Sequence, residues 1–112
     1  MSFPVPAAAP GDVPGDAPLL DVREDQEWAA GHAEGALHVP MGQVIERLDE
    51  ITAHAAGSTL YVLCRVGGRS AQVTAYLTRQ GVDAVNVEGG MEAWRAAGKP
   101  MVSEHGAEPF VL

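Results

Sequence analysis

The segment Cys64-Arg65-Val66-Gly67-Gly68-Arg69-Ser70 holds the residue types that could do chemistry: one thiol, two glycines and two guanidinium groups within seven positions. A turn this tight, with Gly67 and Gly68 free to take positive φ, lets successive backbone N–H groups converge on one atom and form an anion-binding nest. A helix expected from Ser70 onward adds the positive end of its dipole, and Arg65 and Arg69 add two cations. All of these favour a thiolate over a neutral thiol. Cys64 is therefore the candidate nucleophile, with Arg65, Val66, Gly67, Gly68, Arg69 and Ser70 as candidate substrate-binding residues, Ser70 also being a possible helix cap. The plain alternative is that Cys64 is a small core residue at a strand end, with both arginines solvated.

Positioning such a loop requires a strand before it and a helix after it. Leu60 to Cys64 is apolar throughout, as expected of a central strand covered on both faces. Ser70 to Gln80 has helical character and stops at Gly81. Elsewhere, strands are expected at Leu19 to Val22, Ala36 to Val39 and Val85 to Val87. Helices are expected at Asp25 to Ala30, closed by Gly31, at Gln43 to Ala55, and at Met91 to Ala97, stopped by Gly98 and Pro100. Strands alternating with helices imply an α/β fold with a parallel sheet and helices on both faces, and such sheets bind ligands beyond the carboxyl ends of their strands. Residues 1–18 carry five prolines, which suits an extended lead-in or edge strand; residues 102–112 form a C-terminal tail.

The chain has 112 residues, 15 acidic against 7 basic side chains, and a formal charge of -8. That is one domain, large enough to bury a core without disulfides or structural metal. An acidic surface repels phosphates, which argues against nucleic acid and anionic membranes as partners. No apolar run is long enough to span a bilayer, and residues 1–10 lack the pattern of a secretory signal. A single cysteine with scattered His32, His38, His54 and His105 offers no metal-site spacing, and no cofactor is expected. A cytoplasmic location follows. Charge is also segregated along the chain. Residues 61–81 hold three arginines and no acid, whereas residues 21–50 hold eight acids and two arginines, which predicts a positive mouth suited to a small anion.

Four motifs in order resemble the successive signatures of a rhodanese domain: Asp21-Val22-Arg23-Glu24; Glu27-Trp28-Ala29-Ala30-Gly31-His32 with Gly35-Ala36 and Pro40; the Cys64 loop; and Glu88-Gly89-Gly90-Met91 with Ala93-Trp94 and Gly98-Lys99-Pro100. The similarity spans residues 19–101. It implies a five-stranded parallel sheet and a cysteine that carries sulfane sulfur as a persulfide. Cys64 would then attack the outer sulfur of a small anionic donor such as thiosulfate, with the departing sulfite met by Arg69 and Arg65. The sulfur would pass to an acceptor thiol, cyanide or a sulfur-accepting protein. The alternative is a persulfide relay or interaction module with little thiosulfate turnover. Cysteine phosphatases and arsenate reductases place five residues between Cys and Arg, whereas four separate Cys64 from Arg69, a ring better matched to one sulfur than to phosphate. Ala33 and His38 stand where the family often has Ile and Asn, and are read as packing changes. Asp21 with Arg23 is read as a structural ion pair, His32 as a hydrogen-bonded structural histidine, Trp28 and Trp94 as core anchors, and Gly89-Gly90 as a turn.

Overall fold

The computed structural model describes residues 5–104 and 106–112. Residues 1–4 of the lead-in and His105 of the tail lie outside the described residues. The element order is β1 (Ala7–Ala8), a 3-10 turn (Pro10–Asp12), β2 (Leu19–Asp21), α1 (Asp25–Ala30), β3 (His32–Ala33) and β4 (Leu37–His38). A 3-10 turn (Met41–Gln43), α2 (Leu48–Ala55), β5 (Leu60–Leu63), α3 (Gly68–Arg79), β6 (Ala84–Val87), α4 (Gly90–Ala96) and β7 (Met101–Val102) complete it.

Five strands form one parallel sheet in the order β1-β6-β5-β2-β4. The apolar run at Leu60 is its central strand, as the absence of polar residues there requires. Alternation along the strands sorts side chains between two cores. Leu20, Val22, Leu60, Val62 and Ala84 pack with Ile51 and Ala55 of α2 and Val73 and Leu77 of α3. Leu19, Leu63 and Val87 pack on the other side with Met91 and Trp94 of α4 and with Val13. Cys64 continues the parity of Leu60 and Val62 and so joins the α2/α3 side.

Three local expectations change. The helix expected over 43–55 begins only at Leu48. Arg47, at φ -107 and ψ 22, has left helical geometry, and Ile45 is 74% exposed rather than part of a buried face. Gly31 closes α1 as expected, but in extended backbone, at φ 173, rather than in a left-handed cap. It is small because the tail crosses it: a Cβ there would meet the Phe110 backbone N at 2.7 Å. Finally, Met101–Val102 is a strand, pairing antiparallel with His32–Ala33. Glu104 N then donates to Ala29 O at 3.2 Å and Phe110 N to Ala30 O at 3.1 Å, so the tail straps α1. No described helix is long and apolar enough to cross a membrane.

Candidate active site

Cys64 stands just past the carboxyl end of β5, 1% exposed, with β2 and β6 on either side. The loop after it turns at Gly67, whose φ of +110 is open to glycine at little cost. Gly68 does not share that conformation; it is already the first residue of α3, and Gly67 occupies the N-cap. The helix thus starts two residues earlier than its apolar pattern suggests, which places Ser70 inside the first turn.

That displacement gives Ser70 a different task from capping. Its hydroxyl, fully buried, lies 3.2 Å from Cys64 Sγ and 2.6 Å from Asn86 Oδ1. Asn86 shares strand parity with Ala84 and so faces the Cys64 side of the sheet. Its Nδ2 donates to Gly67 O at 3.2 Å, which fixes the amide with Oδ1 toward Ser70. The hydroxyl has one proton for two acceptors. Beside a neutral thiol it belongs to Asn86; beside a thiolate it turns to sulfur, where a charged acceptor makes the stronger bond.

The Gly67 N–H also donates to Sγ, at 3.1 Å. Burial pushes the Cys64 thiol up, but the Ser70 hydroxyl and the backbone N–H groups of Ser70, Gly67 and Val66 outweigh it and hold the thiol below its ordinary value. The nest expected from the glycines is present. Its leading stabilisers are uncharged donors rather than the two cations.

The arginines are engaged elsewhere. Arg69 Nη1 and Nη2 bind Glu27 Oε1 and Oε2 at 2.8 and 2.9 Å, and Arg65 Nη2 binds Glu92 Oε1 at 3.0 Å. The Arg69 hydrogen bond is the main reason that the Glu27 carboxyl falls from 4.5 to about 2. The positive mouth expected from the linear charge distribution is therefore corrected. Folding brings Glu27 of α1, from the acidic segment, to Arg69 in the first turn of α3, and Glu92 of α4 to Arg65, so each loop cation meets a carboxylate. Val66 stays on the surface, 54% exposed.

The loop is backed by α4. Met91 N donates to Cys64 O at 2.8 Å and Glu92 N to Arg65 O at 3.1 Å. Gly90, at φ +56, lies so close that a Cβ would overlap the Cys64 carbonyl oxygen and reach within 2.7 Å of Arg65 O. The pair read as a turn is thus the start of α4, with Gly89 at its N-cap and Gly90 its first residue, and also the surface on which the Cys64 loop rests. Asn86, Glu27 and Gly90 were not singled out as site residues by sequence reasoning. The Gly-Gly pair was the one visible signal, and its neighbour in space was not.

The remaining residues hold the frame. Arg23 and Asp21, both fully buried, pair at 2.8 Å, and Arg23 Nη2 also donates to Gly31 O at 2.7 Å. His32 and His38 stack on Trp28, with ring centroids 3.5 and 4.7 Å apart. Nδ1 of His32 bonds to Trp28 O at 2.9 Å, and Nε2 of His38 bonds to Arg23 O at 2.7 Å. Trp94 is a core anchor, 4% exposed. Trp28 is not: it stacks with two imidazoles, and its Nε1 donates to Glu104 at 2.9 Å.

A thiol with a lowered pKa in a ring of amides, at the carboxyl end of the central strand of a parallel sheet, matches one family in sequence as well as geometry. The profile of the Rhodanese-like domain matches residues 9–97. The chain belongs to the rhodanese-like domain family. It is similar to YtwF of Bacillus subtilis (strain 168), 45% identical over 83 residues, covering 73% of this chain and 77% of that one. A sulfurtransferase of Allochromatium vinosum is 38% identical over 92 residues, covering 81% and 83% of the two chains. Among solved structures, a rhodanese-related protein of Thermoplasma volcanium superimposes with a TM-score of 0.80 at 27% identity, covering 88% of this chain and 99% of that one. The rhodanese-like chain has the α/β fold of its relatives, and sulfur transfer is the activity to which they point.

Proposed function

We propose that this rhodanese-like domain is a sulfurtransferase that carries sulfane sulfur as a persulfide on Cys64, with the loop Arg65 to Ser70 binding the transferred sulfur. The observation that supports it is the nest itself. Sγ accepts from the Gly67 N–H and faces the Ser70 hydroxyl, an arrangement that stabilises both the attacking thiolate and the terminal sulfur of the persulfide that replaces it. No general base is invoked, because the site's donors favour the thiolate over the thiol. The donor is thiosulfate or a persulfide; the acceptor is a thiol, cyanide or a sulfur-accepting protein. A cytoplasmic setting suits the reduced thiol that the cycle requires.

Phosphate chemistry fits less well. A phosphoryl group needs a guanidinium free to take its oxygens, and Arg69 is held on Glu27. Intact mass after incubation with a sulfane sulfur donor tests the proposal. One added sulfur atom is expected, lost on cyanide addition as thiocyanate appears, and absent in Cys64→Ser. Turnover retained in Cys64→Ser would refute the role given to the thiol.

A further inference from the structure

Arg69 and Arg65 differ in how firmly they are held. The Arg65 and Glu92 side chains are 50% and 49% exposed, joined at 3.0 Å, a surface pair that opens readily. Arg69 meets Glu27 fork to fork, at 2.8 and 2.9 Å, with the Glu27 side chain 15% exposed. Glu27 cannot easily swing away, because its Oε1 also accepts the Glu24 N–H at 3.0 Å in the capping box that starts α1. Glu24 adds a second negative charge near Arg69.

The two donor classes make different demands on this cation. With thiosulfate the step is Cys64–S⁻ + S–SO₃²⁻ → Cys64–S–S⁻ + SO₃²⁻. The S–S bond of the donor breaks, its electron pair leaves on sulfite, and three negative charges share the site throughout. With a persulfide the step is Cys64–S⁻ + R–S–SH → Cys64–S–SH + R–S⁻. The proton stays on the transferred sulfur, the electron pair leaves on the thiolate, and one negative charge is present throughout, or two where the persulfide enters ionised, against three with thiosulfate. The first step needs an uncommitted cation beside the sulfur; the second is served by the amides and the Ser70 hydroxyl.

We propose that Glu27 is a specificity-determining residue that keeps Arg69 on its own carboxylate, so that the site takes sulfane sulfur from persulfides, whose sulfur carries at most one negative charge, in preference to dianionic thiosulfate. Glu27 acts through Arg69 and touches neither donor. The inference rests on Cys64 being the sulfur carrier.

Loading of Cys64, followed by quenching and intact mass, is measured for wild type and Glu27→Gln with thiosulfate and with cysteine persulfide. Gln retains an oxygen for the Glu24 N–H but not the charge. The ratio of thiosulfate to persulfide loading is expected to rise at least tenfold in Glu27→Gln. The gain should lie in a lower half-saturating thiosulfate concentration rather than a faster maximal rate, shrink with added salt, and vanish in Glu27→Gln/Arg69→Met. An unchanged ratio in the folded variant overturns the proposal. So does wild-type protein that loads from thiosulfate as fast as from cysteine persulfide, a comparison that needs no variant to fold. Loading from neither donor refutes the sulfur-carrier role itself and is thereby distinguished from failure of the donor preference alone.

Discussion

Removing the Ser70 hydroxyl tests whether uncharged donors set the reactivity of Cys64. In Ser70→Ala the thiolate loses a hydrogen bond spanning 3.2 Å, of a kind that contributes about 1.5–3 kcal/mol when the acceptor is charged. Part of that is offset in the parent, because the proton given to sulfur is taken from Asn86 Oδ1 at 2.6 Å, a neutral bond of about 0.5–1.5 kcal/mol. The net loss is about 1–1.5 kcal/mol, or about one pKa unit at 1.36 kcal/mol per unit. The thiol should therefore titrate about one unit higher, and at any pH below both midpoints the ionised fraction should fall about tenfold. The assay is the pH dependence of iodoacetamide alkylation, whose rate follows the thiolate of this single cysteine. In wild type the midpoint should lie below the ordinary thiol range. Stability should also fall by about 1–3 kcal/mol, since Asn86 Oδ1 is left buried without its donor. A midpoint that stays in place or moves down in folded Ser70→Ala would refute the account and return the stabilisation of the thiolate to the arginines.

Four further perturbations separate frame from site. Gly90→Ala places a methyl group against the Cys64 carbonyl at positive φ, so urea unfolding should show a loss of about 2–4 kcal/mol from overpacking and backbone strain together. Gly68→Ala meets nothing within 4 Å and should leave stability within about 1 kcal/mol of wild type or improve it. Asp21→Ala strands a fully buried Arg23, and a loss of about 3–5 kcal/mol in the same assay is expected; a near-neutral result would mean that Arg23 finds another partner. For Glu27 the folded carboxyl lies at about 2 against 4.5, so the folded state resists protonation. Its stabilisation is complete above pH 4.5 and disappears as pH falls toward 2. Because Arg69 is a third exposed, solvent screening limits the contribution to about 1–2 kcal/mol. The urea midpoint difference between wild type and Glu27→Gln should accordingly shrink on acidification across that window, and a constant difference would contradict the pairing.

Much of the fold was legible because its signals are local. The unbroken apolar run at Leu60 marks a strand with two covered faces, and the Cys64 loop announces a nest through Gly67. Signals that depend on what a segment meets were misread or silent. Ile45 fits a helical face by spacing yet is exposed, because the chain leaves helical geometry at Arg47. Met101–Val102 has too few residues for a pattern, and is a strand because His32–Ala33 offers it an edge. Gly31 ends α1 as its position suggests, but what requires a glycine there is the passage of Phe110, which no local pattern shows.

The candidate site divides in the same way. The sequence by itself pointed to Cys64 as the candidate nucleophile and determined the glycine turn and the order of elements, since these follow from residue type, periodicity and spacing over a few positions. Only the tertiary structure decided how the thiol is ionised and what the cations do. Asn86 reaches Ser70 because β6 lies beside β5 in the sheet, and Glu27 reaches Arg69 across 42 positions of chain. Charge counted along a sequence says nothing of which opposite charges will touch. Coulomb interactions fall with distance in space, so Arg69 of the positive segment is neutralised by Glu27 of the acidic one where the fold brings the two side chains together, and Arg65 is met by Glu92, which belongs to neither segment.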